Sequence, residues 1–221
     1  MAALIRDLGR PGRFLNMLRV FKVTSPMSVG TWLVSGYAPS AGIAALSSLT
    51  GRLPRLGAAA TAGAALLAPA VASYTAALIG DTAVPAWHEG YPEMPFIFTG
   101  SASMAAGGLG LLGAPLAETT PARNLALLGY AMEASAFERM RHRTGLTAEI
   151  YLRGRAGQYI RAGQVLAALG ATGAVLSIEG PFSGRVSRVV AALSGAALMS
   201  ASAATRFGVF HAGIASAADP K

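Results

Sequence analysis

The feature that most constrains this chain is the spacing of its charges. Between Lys22 and Arg52 lie 29 consecutive residues without Asp, Glu, Lys or Arg, between Arg55 and Asp81 there are 25, and between Glu93 and Glu118 there are 24. A helix crosses the hydrocarbon core of a bilayer with about 20 mainly apolar residues, and a soluble core in a chain of 221 residues has no room for three such runs. Two shorter runs of 17 residues follow, from Arg161 to Glu179 and from Arg188 to Arg206. A further apolar segment, Arg123 to Met140, carries Glu133 and Glu138. Together these predict six spans, at about residues 26–49, 56–79, 94–117, 122–141, 161–179 and 187–209. Composition agrees: 13% of residues are charged, against about a quarter in soluble domains. With 53% hydrophobic residues, disorder is excluded as well. The expected fold is an all-α integral membrane helical bundle of about six transmembrane helices. A basic interfacial segment (1–25) precedes the transmembrane domain (26–212), and a short tail (213–221) follows it.

Arg6, Asp7, Arg10 and Arg13 interrupt any apolar core of a signal peptide. Residues 14–22 place Phe14, Leu18 and Phe21 on one helical face, either as a basic helix in the membrane interface or as a basic loop. Within the spans, small residues recur every fourth position: Ala60, Ala64, Ala68, Ala72 and Ala76; Ala102, Ala106, Gly110 and Ala114; Ala192, Ala196, Ser200 and Ala204. Such stripes let helix backbones approach closely, so these faces are expected against other helices. Genomic bias toward Ala accounts for part of the pattern.

Six spans place 13 of the 18 basic residues on the side that carries both termini, and five on the other. The excess of Lys and Arg marks the cytoplasmic side, so both termini of this multi-pass chain are expected in the cytoplasm. The net charge of +8 is then a topology signal and a contact to membrane lipid, with no nucleic acid involved. The absence of cysteine rules out disulfides and any Cys-ligated zinc or iron–sulfur cluster held by this chain.

No soluble-enzyme motif is present, so chemistry falls to the few polar groups near the spans. Asp81, His88 and Glu89 share nine residues with Trp87. They make either a proton-accepting loop or an interfacial loop in which Trp87 and Tyr91 anchor to headgroups. Glu133 sits near the middle of the fourth span without a cation four residues on, and a carboxylate at membrane depth is costly unless protonated or paired. It is either a proton site or one half of a helix-to-helix ion pair, with Arg188 or Arg206 as the cation. Glu138 has Arg141 and His142 within one turn, which suits an interfacial ion pair. The contexts of His88 and His211, one in a loop and one at a helix end, argue against a shared haem. Near the N-terminus, Gly9 and Pro11 break the chain and Ser25-Pro26 opens the first span. Asp7 and Arg10 flank the break as a candidate ion pair.

The run Asp7–Pro11, Arg13–Leu18 and Ser25–Trp32 matches a pattern DLGRP-x-RF-x-NML followed by SPMS-x-G-x-W. A second stretch, Tyr74-Thr75 with Thr82–Pro85 and Trp87, matches YT followed by TAVP-x-W. On these residues the chain resembles the NrfD family, the multi-span membrane subunits of polysulfide-reductase-type complexes, over about residues 5–98. The resemblance implies a quinone-reactive or non-catalytic membrane subunit of an oxidoreductase complex in the cell membrane. It implies no cofactor or metal bound by this chain, with menaquinone or ubiquinone as exchangeable substrate. It also implies a ferredoxin-like iron–sulfur subunit and a catalytic, molybdopterin-type subunit as partners. Asp7 and Arg10 would line the quinone approach, with the Arg10 guanidinium hydrogen-bonded to a quinone oxygen. Two departures stand out: the chain begins near the end of the family's second span, and Arg6 replaces a His that the family often carries. Two other readings remain open: a small transporter or proton-pathway protein using Glu133 and Asp81, and a purely structural membrane anchor.

The charge asymmetry predicts that reporter fusions after Leu53 and Thr119 report the outside, and fusions after Gly90 and Arg155 the cytoplasm. A cytoplasmic signal from the Leu53 fusion would reverse the orientation.

Overall fold

A computed structural model describes residues 18–179 and 184–218, together with Asn16, and every regular element among them is helical. Asp7 and Arg10 lie outside the described residues. Six helices have 20 residues or more: α1 (Pro26–Thr50), α2 (Pro54–Gly80), α4 (Met94–Gly113), α5 (Thr120–Thr144), α7 (Gly154–Glu179) and α8 (Arg185–Ala218). Two short helices, α3 (Pro85–Glu89) and α6 (Ala148–Leu152), lie between them. Four of the long ones, α2, α4, α7 and α8, are both long and apolar enough to cross a membrane. Proline punctuates the starts: α1, α3, α4 and α5 carry it at their first or second position, and α2 opens on Pro54. There its missing N–H costs nothing. Ser25 caps α1 by accepting from Ser28 N–H at 3.4 Å, as the sequence predicts. Gly51 ends α1 in the left-handed region, at φ 67°, which favours glycine.

The chain divides into two compact units, residues 1–78 and 79–221. In the first, α1 and α2 form an antiparallel hairpin. Gly30 lies beneath the Tyr74 ring, Gly36 faces Leu67, Gly63 faces Ser40 and Gly57 abuts Ser47, so numbers rise along one helix as they fall along the other. The expected stripe from Ala60 to Ala76 is half-buried or buried. Phe21 meets Trp32 edge to face at 6.1 Å between centroids. Ser28 Oγ donates to the Val20 carbonyl at 3.2 Å and accepts from Lys22 N–H at 3.0 Å. Ser25, Pro26, Ser28 and Trp32 thus open α1 and fold the segment before it.

The second unit is a four-helix bundle in which α4 packs on α5 and α8, and α8 packs on α7. Its seams are lined by the smallest side chains. A Cβ on Gly100 would lie 2.7 Å from the Gly129 carbonyl oxygen, and one on Gly129 would lie 2.6 Å from the Gly100 oxygen. Gly108 and Gly195 stand in the same reciprocal relation across α4 and α8, at 2.6 Å for a Cβ on Gly108. The buried line of α8 runs Ala191, Gly195, Leu198, Ser202, Thr205, Val209, Ala212, Ser216, alternating steps of four and three as in coiled-coil packing. The predicted stripes of α4 and α8 are displaced from these buried lines. Ala106, Ala196 and Ser200 are exposed, whereas Gly108, Gly195 and Ser202 are buried. A stripe repeating every four residues drifts around a helix of 3.6 residues per turn. Outward-facing positions are large and apolar, such as Leu169, Leu193, Phe207, Phe210 and Ile214. This arrangement suits a surface that meets hydrocarbon.

The seam predicts that Gly108→Val and Gly195→Val each destabilise the protein by about 1–3 kcal/mol, through overpacking against backbone. Gly113→Ala, where a Cβ meets nothing within 4 Å, serves as the tolerated control. Thermal unfolding in detergent measures all three.

Candidate functional site

Glu133 projects from α5 into the bundle and is buried, with 9% of its surface exposed. Gly100 brings α4 so close that an added Cβ would lie 2.7 Å from the Glu133 nitrogen. Oε1 of Glu133 accepts from Thr205 Oγ1 of α8 at 2.7 Å. Oε2 is buried and has no hydrogen-bond partner. One turn farther from the end of the bundle that holds α3, Ser101 of α4 and Ser202 of α8 share a hydrogen bond of 2.8 Å. Neither arginine offered by the sequence makes a direct ion pair with Glu133, though Arg206 is near enough for its charge to act on it. Arg188 donates to the carbonyls of Leu111, at 2.6 Å, and Leu112, capping the C-terminal end of α4, where a cation is favoured. Arg206 lies over the Phe98 ring, 4.9 Å from its centroid.

A cavity of about 210 Å³ adjoins this carboxylate. Met104, Phe137 and Ile160 supply apolar lining, and Tyr130, Gln164, Thr205, Glu133 and Glu138 supply polar groups. That is room and polarity enough for several ordered waters. At its far end the Glu138 side chain is half exposed and meets His142 Nε2 at 2.9 Å and Arg141 at 3.3 Å. The cavity therefore joins a buried carboxylate to an exposed carboxylate–imidazole pair.

Asp81, His88 and Glu89 are exposed and lie apart from this cavity. His88 Nδ1 sits 3.1 Å from the Gly80 carbonyl oxygen, and His211 stacks on Tyr159 at 5.3 Å. Among the described residues, no three His, Asp or Glu side chains gather as metal ligands do. Trp87, expected as a headgroup anchor, instead pins α3 to α8. Its Nε1 donates to the Val209 carbonyl at 2.8 Å, and its ring covers Gly213. Tyr151 OH donates to the Ala86 carbonyl at 2.9 Å, and burial, then the charge of Glu89, pushes its phenol well above the ordinary value.

Sequence reasoning passed over Glu93, which is only 2% exposed at the start of α4. Arg143 at the end of α5 grips both its oxygens, Nε at 2.9 Å from Oε1 and Nη2 at 2.7 Å from Oε2, and also donates to the Glu89 carbonyl. Arg139 adds a longer contact of 3.6 Å. The available signal was a lone carboxylate opening one apolar helix and an Arg cluster closing the next, which antiparallel pairing brings together.

Comparison with protein-family models, curated proteins and solved structures finds no match to this chain.

The Glu93–Arg143 fork predicts that Glu93→Gln lowers stability by about 2 kcal/mol, since Arg143 loses its charged partner while retaining some access to water. Glu138→Gln, on a half-exposed pair, costs under about 1 kcal/mol. Denaturation midpoints of the two variants in one detergent test the ranking; equal losses would contradict it.

Proposed function

We propose that this chain is a six-span membrane subunit of an oxidoreductase complex, with both termini cytoplasmic, and that it exchanges protons alongside membrane quinone chemistry. The observation that carries the reading is the Glu133 carboxylate, with one oxygen held by Thr205 and the other unpartnered, beside a cavity that reaches Glu138. A carboxylate kept inside an apolar bundle without a direct ion pair is a costly residue. Its use is explained if it takes up and releases a proton. Quinol oxidation releases two electrons and two protons, and the protons need a path that the electrons do not share. Glu133, the polar cavity that it shares with Glu138, and the His142 paired with Glu138 would supply such a path once water fills the cavity. The quinone, menaquinone or ubiquinone, and the partners, a ferredoxin-like iron–sulfur subunit and a molybdopterin-type catalytic subunit, rest on the resemblance at residues 7–32 and 74–87. Asp7 and Arg10 are the proposed quinone-facing pair.

The same cavity suits a proton-pathway protein that acts without an oxidoreductase partner. Co-purification in mild detergent, with metal analysis of bound subunits, separates the two: iron and molybdenum retained with this chain support the first reading, and a lone chain that conducts protons in vesicles supports the second.

Glu133→Gln keeps the shape and one hydrogen bond but carries no proton. We expect assembly and thermal stability to hold and quinone-linked turnover of the complex to fall at least about tenfold, within the range of general acid–base contributions. Loss of assembly before loss of turnover would make Glu133 a structural residue. Wild-type stability with wild-type turnover would leave it without either role.

A further inference from the structure

A second recess, about 420 Å³, lies on the outer surface between the start of α4 and the second half of α5, lined by Glu93, Phe96, Met132, Ser135 and Arg139 among others. We propose that it holds one anionic phospholipid, with the phosphate on Arg139 and an acyl chain laid along Phe96 and Met132.

The recess is graded as a phospholipid is. Arg139 stands near the helix ends, 81% exposed. Phe96, more than half exposed, and Met132 continue it toward the middle of the bundle, where an acyl chain would run. Its charge is unbalanced in the right direction. Glu93 already accepts a bidentate pair from Arg143, so the 3.6 Å contact to Arg139 leaves most of that guanidinium's donors facing outward. Arg141 and His142, the other cationic candidates on this stretch of α5, are turned to Glu138. One carboxylate between two guanidiniums leaves a net positive charge, and a guanidinium binds phosphate oxygens through a fork of parallel N–H donors. Basic recesses between membrane helices are favourable headgroup sites. Four helices apolar enough to cross a membrane place lipid in contact with this surface.

The test uses the full chain, purified and delipidated in nonionic detergent, with dioleoyl-phosphatidylglycerol and dioleoyl-phosphatidylcholine as probes in native mass spectrometry. The expected result is one retained phosphatidylglycerol, preferred over phosphatidylcholine. Arg139→Gln should weaken it about tenfold, the equivalent of one charge-assisted contact, and Arg139→Lys should weaken it less. Arg153→Gln removes a cation that is already paired with Glu149 at 2.8 Å and should leave binding unchanged. Ser135→Trp fills the exposed wall of the recess without altering charge and should abolish retention; this variant decides the matter if Arg139→Gln does not fold. Equal binding of the two lipids, unchanged binding in Arg139→Gln or Ser135→Trp, equal loss in Arg153→Gln, or displacement by inorganic phosphate would each overturn the proposal.

Discussion

The bundle of residues 79–221 depends on backbone-to-backbone contact at glycine. Lipid tails are as apolar as leucine, so helices in a bilayer gain little by burying large side chains against one another. They gain instead from close approach, which dispersion rewards only when nothing stands between the backbones. Gly100 against Gly129 and Gly108 against Gly195 supply that approach on the two faces of α4. The consequence is an inverted distribution of side-chain size. Ser101, Ser194, Ser202, Thr205 and the glycines turn inward, while Leu193, Phe207, Phe210 and Ile214 turn outward. Inward hydroxyls are satisfied either locally, as when Ser194 donates to the Val190 carbonyl at 2.7 Å, or across a seam, as between Ser101 and Ser202, so small polar residues can line a dry seam.

The same contact positions the site. Gly100 lies against the backbone of Glu133, so the helix that carries the carboxylate is fixed to α4 at that residue. Thr205 reaches Glu133 from α8, in the turn after Ser202, which is tied to Ser101 of α4. Three helices therefore converge on one carboxyl group through glycine contact, a hydroxyl pair and a hydroxyl–carboxylate bond. The cavity beside it is where α7 stands away from α5: Ala167 and Gln164 face Ala134 and Glu138 there without filling the space.

Much of the fold was legible because charge placement and proline punctuation are local signals. The six segments expected as spans coincide with the six long helices to within a few residues at most ends, though only four of those helices are long and apolar enough to cross a membrane. The largest departures are the early start of α7 at Gly154 and the extension of α8 to Ala218. Glu133 was visible as a carboxylate inside an apolar run, and the Glu138 pair followed from helical spacing. What was not legible is pairing across helices. Thr205 is 72 positions from Glu133, and Arg143 is 50 from Glu93. Neither separation has a period, and only the order of packing brings the partners together. The stripes of α4 and α8 failed for a related reason. Steps of four mark one face of an isolated helix, whereas contact with two neighbours selects alternating steps of three and four.

The arginines nearest the bundle core make no direct ion pair with Glu133. Around the bundle the arginines have assigned work at helix ends or on aromatic faces: Arg143 on Glu93, Arg188 on the carbonyls that end α4, Arg206 over Phe98. Arg143 meets its carboxylate at the rim of the bundle and Arg188 meets carbonyls, while Arg206, over its aromatic ring, lies near enough to Glu133 for the two charges to act on each other without a direct ion pair. A fold selected only for stability would place glutamine or leucine at position 133, because replacing a buried ionisable group by one of similar shape is often neutral or favourable. Here a carboxylate is kept, one oxygen is held by a neutral hydroxyl and the other is buried without a partner, beside a cavity that Glu138 also lines. A hydroxyl holds the group in place whether or not it carries a proton, which an arginine would not do. The bond to Thr205 ties α5 to α8 at this carboxyl group whichever protonation state it holds.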